Sequence, residues 1–416
     1  VKEDLSGDFQ FSRNSAATRV NAQGLVENVQ ILSSDLVSNG DFSQEGVQEV
    51  SNGSFSQEGA ELITNGDFAT DSNWTKGTGW TISGGAAIQD GTGSGSSLRQ
   101  SNIIVVGKTY KITYEIIERT QGSIQLFAGF PNSNTPSNNT IGVHTHYIKG
   151  EGNTNLYLLP SNFIGSIDNV SVKEVGQDWV IEDTWTIGDG VVNGNGAVGS
   201  TSELKQYNVN TIGKTYKATF EVLNYVSGTV GFWKGSGVSV INRSANGTYT
   251  EYFTATSAEV RFRPNIFNGS ITNISVKEVG QNWTQTSNNW SFGNNKAIAD
   301  GTSQGSLQQS ISTIAVGSKY KINYTISDYV AGNIRLYFGG VFTDFKSSNG
   351  SYSQVVTSTS TDGSVATSIA TPFSGSISNI SLIEITDDTN LPRINYEGFS
   401  YQDSLGSEDI VNGDFS

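Results

Sequence analysis

Three stretches of the chain alternate apolar and polar residues with a period of two. In "TYKITYEI", Tyr110, Ile112, Tyr114 and Ile116 share one parity, and Lys111, Thr113 and Glu115 share the other. "TYKATFEV" repeats this with Tyr216, Ala218, Phe220 and Val222, and "KYKINYTI" with Tyr320, Ile322, Tyr324 and Ile326. Successive side chains of a strand point to opposite faces, so each stretch predicts an antiparallel strand buried on one side only. No stretch carries a convincing apolar run at i, i+3, i+4 and i+7, so nothing predicts a helix.

The alternating stretches are copies of one another. "GKTYKITYEI" from Gly107, "GKTYKATFEV" from Gly213 and "GSKYKINYTI" from Gly317 are separated by 106 and 104 residues. "GSIDNVSVKEVGQDW" from Gly165, "GSITNISVKEVGQNW" from Gly269 and "GSISNISLIEI" from Gly375 follow nearly the same period. Trp74 and Trp80, Trp179 and Trp185, and Trp283 and Trp290 stand near the starts of the units. A period of about 105 residues is a whole domain and far exceeds a solenoid unit. The sequence therefore predicts an all-β chain of three tandem antiparallel β-sandwiches of the jelly-roll kind, at 61–176, 177–280 and 281–386. Residues 1–60 are expected to form an extended N-terminal segment, and 387–416 a connector.

A shorter repeat precedes the sandwiches. Asn39-Gly40-Asp41-Phe42 returns as Asn52-Gly53-Ser54-Phe55 and as Asn65-Gly66-Asp67-Phe68, at steps of thirteen residues. Asn-Gly suits a positive-φ turn and Phe a first apolar anchor, so the motif reads as the opening of a domain. Residues 38–60 then hold two truncated copies, expected as remnants of duplication. The copy at 412–416 is expected to open a further element, making the chain a piece of a longer modular protein.

Composition narrows the function. Aromatic residues are 10% and charged residues 15% of the chain, which does not fit disorder. A formal charge of -15 opposes binding to nucleic acid or anionic lipid, and no apolar run is long enough to span a membrane. The absence of Cys removes disulfides, thiolate metal sites and cysteine nucleophiles.

Two stretches outside the sandwiches, "FSRNSAATRVNAQGLVENV" at 11–29 and "TNLPRINYEGF" at 389–399, resemble neighbouring motifs of bacteriophage tail-fibre and appendage proteins. In that family the first runs almost directly into the second, and a lectin-like sandwich follows. Here three sandwiches stand between the halves, and "SYQDSLGSEDIVNGDFS" follows instead of the lectin-like continuation. The "NGDF…W…W" openings and "SIDNVSV" closings resemble carbohydrate-binding modules of the jelly-roll type. Together the resemblances imply a structural, adhesive virion protein, extracellular and homo-oligomeric, with trimers expected. Its implied partners are other virion proteins and host cell-surface polysaccharide. The same modules would also suit a secreted adhesin or a polysaccharide-degrading enzyme, or serve as passive spacers or capsid decoration.

Candidate sites follow from parity and residue type. In "GSIQLFAG", "GTVGFWKG" and "GNIRLYFG", Phe127, Trp233 and Tyr337 stand opposite the core-facing residues, with Gln125, Gly231 and Arg335 on the same side. An aromatic ring there offers a flat surface to a pyranose, and the polar neighbours fix its hydroxyls. The alternative is that a loop or the neighbouring domain covers these rings. His144 and His146 share one strand face and are candidate ligands for a transition metal, although the other two units lack the pair. Carbohydrate-binding jelly rolls often hold a structural calcium near the opening turn and the closing strand; Asp67 and Asp168 are its candidate ligands in the first sandwich. No catalytic residues emerge. No acidic pair recurs across the units, neither histidine lies near a G-x-S-x-G elbow, and "GTGSGSS" lacks GK[ST], so an enzyme is not expected.

Overall fold

The computed structural model describes residues 17–20, 26–29 and 31–386, apart from 132–133, 198–201, 234–239 and 313. The motif at 389–399 and the copy at 412–416 lie outside the described residues. Of 11–29, the described parts form a short antiparallel hairpin of Ala17–Val20 with Val26–Val29. Among the described residues every regular element is a strand.

Each sandwich is built on two long antiparallel strands. They are Thr109–Ala128 with Leu156–Val175, Thr215–Trp233 with Val260–Val279, and Lys319–Phe338 with Ser364–Thr386. The alternation read from sequence is the burial pattern: Tyr110, Ile112, Tyr114 and Ile116 are fully buried, as are their counterparts in the other two sandwiches. After Ile116 the strand runs through exposed residues and several register shifts, and regular burial resumes at Ile124. The strand bends at these shifts, so that both halves of one continuous sheet feed one core. Glycine is required at this corner. Gly122, Gly228 and Gly332 have φ of 74°, 75° and 78°, and a Cβ on them would lie within 2.1 Å of an opposing carbonyl oxygen.

The chain divides into two compact units, the first two sandwiches falling in one and the third in the other. Residues 31–60 are not a separate arm, and the two early motif copies are not remnants. Glu58–Glu61 pairs with the closing strand of the first sandwich, at Lys173↔Glu61 and Val175↔Glu58. Glu45–Gln48 pairs in the same way with the closing strand of the second, at Lys277↔Gln48 and Val279↔Glu45. Ile31–Asp35 pairs with that of the third, at Ile383↔Asp35 and Ile385↔Leu32. The three copies thus serve the three sandwiches in reverse order. The first sandwich is inserted into the second, and both are inserted into the third.

Packing explains why each copy is held where it is. Gly40, Gly53 and Gly66 lie so close to the closing strand that a Cβ would sit 1.9–2.0 Å from the carbonyl oxygens of Ile380, Ile274 and Val170. The amides of those three residues donate to the carbonyls of Gly40, Gly53 and Gly66 at 2.9 Å. The positive φ expected of Asn-Gly falls on Asn39, Asn52 and Asn65, and on Phe42, Phe55 and Phe68, with values of 47–56°. Glycine therefore serves close approach here, while Asn tolerates the left-handed turn.

The tryptophan that begins each sandwich closes over its own copy. Trp74 Nε1 donates to Asn65 O at 2.9 Å, Trp179 to Ser51 O at 3.0 Å, and Trp283 to Asn39 O at 3.0 Å. Phe55 packs on Trp179 and Phe68 on Trp74, with ring centroids 5.2 and 5.3 Å apart. Val50 and Phe55 belong to the core of the second sandwich; burial of such side chains contributes about 1.5–3 kcal/mol each. Buried Gln100, Gln206 and Gln309 complete the clasp. Each amide side chain both accepts from and donates to the backbone of one residue, Thr64, Ser51 and Ser38 respectively.

Candidate glycan-binding face

The late half of each first long strand turns one face away from the core, where Phe127, Trp233 and Tyr337 stand. The structure makes these rings an inner layer. Phe127 is only 6% exposed, which corrects its expected access to solvent. The following segment returns alongside the strand through bridges Ile124↔Asn138 and Phe127↔Asn134, and Phe130 packs over Phe127 with centroids 5.3 Å apart. The same segment engages Gln125, whose Nε2 donates to Thr135 O at 2.9 Å. Trp233 lies beneath Arg263, whose Cζ is 3.9 Å from the ring centroid. Tyr337 donates its hydroxyl hydrogen to Asp362 Oδ2 at 2.9 Å, which raises the phenol's pKa, with a smaller push from desolvation.

The rings that reach solvent come one turn later. Phe130 is 48%, Phe342 46% and Phe345 39% exposed. Phe342 packs on Tyr337 with centroids 5.1 Å apart, and Arg335 lies against both Phe342 and Phe345. Sequence parity could not find these residues because they lie in the turn and return segment, beyond the alternation. Their signal is an aromatic just after the glycines that end the strand, at Gly129-Phe130 and Gly340-Val341-Phe342.

The second sandwich carries charge on this face. Glu203 is buried and accepts from Arg263 Nε at 2.6 Å and Arg261 Nη1 at 3.3 Å, and its other oxygen accepts from Lys205 at 3.0 Å. Burial pushes the Glu203 carboxyl up, but Lys205 and Arg263 outweigh it and hold it below the usual carboxylate range. Lys205, bonded to Glu203 and Glu182, is raised above the ordinary lysine value. Arg261 is also paired to Glu259 at 2.7 Å.

His144 and His146 do share a side of the strand Gly142–Lys149, and both rings lie near Tyr114, with centroids 5.5 and 6.3 Å away. Their Nε2 atoms meet Thr140 O at 2.8 Å and the Asn138 amide nitrogen at 2.6 Å. Burial, then the neighbouring His144, lowers the His146 pKa, which suits a neutral ring accepting from Asn138. Among the described residues no group of three or more His, Cys, Asp or Glu is gathered for a metal.

Asp67 Oδ1 accepts from the Ala69 amide at 3.3 Å, and Asp168 Oδ1 from the Asn169 amide at 2.6 Å. Asp168 pairs in register with Glu115, as Thr272 does with Glu221 in the second sandwich. There the Thr272 hydroxyl donates to Gly190 O at 2.8 Å, with Ser54 O 3.5 Å away. The first sandwich thus has a carboxylate where the second has a hydroxyl facing main-chain oxygens of the opening motif and hairpin. Both candidate carboxylates offer oxygen, the donor type a hard cation such as calcium takes, and each accepts a main-chain amide of its own turn.

No known protein family and no curated protein matches the sequence. Among solved structures, the chain is similar to the N-terminal CBM22-1–CBM22-2 tandem domain of Xyn10C from Paenibacillus barcinonensis. Identity there is 8% over 54% of this chain and 98% of that one, with a TM-score of 0.22. It is also similar to a protein with a triple jelly-roll fold from the turret assembly of an archaeal virus, at 14% identity over 75% and 89% of the two chains and a TM-score of 0.19. A chain of Sulfolobus Turreted Icosahedral Virus gives 14% identity, 75% and 90% coverage and a TM-score of 0.19.

Proposed function

We propose that this chain is a structural, glycan-binding segment of a viral appendage, displayed on the virion and acting by adhesion without catalysis. The observation that carries the reading is the repeated face. In all three sandwiches aromatic rings stand on that face: Phe130 over Phe127, Trp233 under Arg263, and Phe342 and Phe345 against Arg335. The virion assignment rests on the sequence motifs at 11–29 and 389–399. Host-surface polysaccharide is the proposed ligand, and other virion proteins and identical chains, arranged as trimers, are the proposed neighbours. Weak sites repeated along a chain gain by avidity. Calcium is proposed for the first sandwich, where Asp168 and the opening motif at Asp67 would hold it and brace the junction of turn and closing strand.

The test is binding of the full chain to immobilised surface polysaccharides of candidate hosts. A variant with Phe130, Trp233, Phe342 and Phe345 all changed to Ala serves as the comparison. The expected result is binding that the folded variant loses by about tenfold or more, since each ring contributes on the order of 1 kcal/mol. Absence of binding by the folded wild-type chain would favour the spacer reading, for which the burial of Phe127 and the cover over Trp233 already speak.

A further inference from the structure

The aromatic faces of the second and third sandwiches use a guanidinium differently. In the second, Arg263 lies on one face of Trp233, and Glu203 takes its Nε hydrogen and forms an ion pair with it. In the third, Arg335 comes from the partner position of the same strand pair; Arg335 is in register with Ser368, as Gly231 is with Arg263. Its Cζ lies 3.8 Å from the centroid of Phe342 and 4.2 Å from that of Phe345. Among the described residues only its Nε is bonded, to Ser368 Oγ at 3.4 Å, and it has no ion-pair partner there. The register explains the missing acid. Lys205 pairs with Arg261, which in turn faces Trp233; Gln308 pairs with Ala366, which faces Tyr337. Two residues before Lys205 and Gln308, across Leu204 and Leu307, stand Glu203 in the second sandwich and Ser306 in the third.

We infer that the third sandwich binds the carboxylate of an acidic sugar at Arg335, with Phe342 and Phe345 as the apolar walls for its ring. This deepens the glycan-binding reading and rests on it. A guanidinium is weakly hydrated on its faces and stacks readily on aromatic rings, which leaves its N–H edge as the polar surface. That edge matches a planar carboxylate with two parallel hydrogen bonds. The ligand's carboxylate takes the place that Glu203 fills for Arg263. The exposed phenylalanines beside it offer C–H contact to a pyranose, so a uronic or similar carboxylated sugar fits both parts of the site at once.

The test titrates the full chain with oligogalacturonate, oligoalginate, hyaluronan fragments and oligosialic acid. Carboxyl-reduced counterparts and dextran sulfate run alongside. At least one carboxylated probe is expected to bind, with affinity that falls as salt rises and at least about tenfold weaker binding after carboxyl reduction. Arg335→Gln is expected to lose binding to a similar extent. Ser368→Glu is the sharper variant: Ser368 is in register with Arg335 and already meets its Nε, so a carboxylate there supplies an internal acid while leaving Arg335 and both rings in place, and it should also abolish carboxylate binding. Dispersed amide spectra would establish that each variant is folded. Unchanged binding by either variant would overturn the inference, as would equal affinity for carboxylated, reduced and sulfated probes. Binding of neutral glycans alone would overturn it while leaving the broader reading intact. Binding of no glycan at all would sink both.

Discussion

The first and second sandwiches are clasped by the same contacts, yet their opening segments come from different places in the chain. Trp74 reaches the carbonyl of Asn65, nine residues away, at 2.9 Å; Trp179 reaches that of Asn52, 127 residues away, at 3.2 Å. The glycine approach, the Phe–Trp packing and the glutamine clasp are shared. The pair teaches that short-range contacts define the clasp, and that chain continuity only sets which copy is nearest.

The largest effect should come from removing one copy. Deleting residues 43–57 takes Val50, Phe55 and the Glu45–Gln48 strand from the second sandwich while leaving 58–176 whole. Amide spectra should then show the first sandwich folded and the second collapsed. A synthetic 43–57 peptide added to the 177–280 fragment should restore dispersion, since all the clasp contacts can form in trans. Failure of the peptide to do so would mean that continuity matters more than contact.

A smaller and more discriminating pair is Gly53→Ala and Gly66→Ala. Both place a Cβ within 2.0 Å of a carbonyl oxygen, so both should destabilise their own sandwich by about 3 kcal/mol, read by chemical denaturation. Equal losses would support one geometry with two chain routes, and a much smaller loss at Gly53 would break the equivalence.

The smallest effect separates these two sandwiches from the third. Glu58 hydrogen-bonds Lys111 and Lys173, and Glu45 hydrogen-bonds Lys217 and Lys277 in the same way. These lysine contacts lower both carboxyl pKa values. A depressed carboxylate contributes stability above its unfolded pKa and loses it as pH falls through the folded one. Acid should therefore reduce hydrogen-exchange protection at Leu62 and Glu49, whose amides donate to Val172 O and Val276 O beside the two clamps, and leave Leu36, whose amide donates to Leu382 O, less affected. Among the described residues the third opening strand shows no such carboxylate–lysine clamp. Added salt should mimic acid in direction, because these pairs are partly exposed.

The sandwiches were legible in sequence because their strands repeat with period two and the units with a near-constant spacing. The nesting was not. "SQEGVQEVSNGSF" and "SQEGAELITNGDF" differ too little to say which closing strand each will meet, and only the copy before Trp74 has an adjacent partner. At the candidate face, parity located the strand and Arg335 but not the turn that buries Phe127 and raises Phe130. Such a return segment has no periodic pattern of its own, so sequence gives its aromatic residues no side.

Reverse-order nesting also decides how the chain bears mechanical load. In a simple tandem string, tension between the ends runs through every domain in series. Among the described residues, the outermost pairing between the two ends of the nest joins Ile31 to Thr386 and Asp35 to Ile383. A pull applied outside those residues meets that short ladder first, and everything between it is slack. The first and second sandwiches would feel force only after the third had been unzipped, which makes the innermost domain the last to yield.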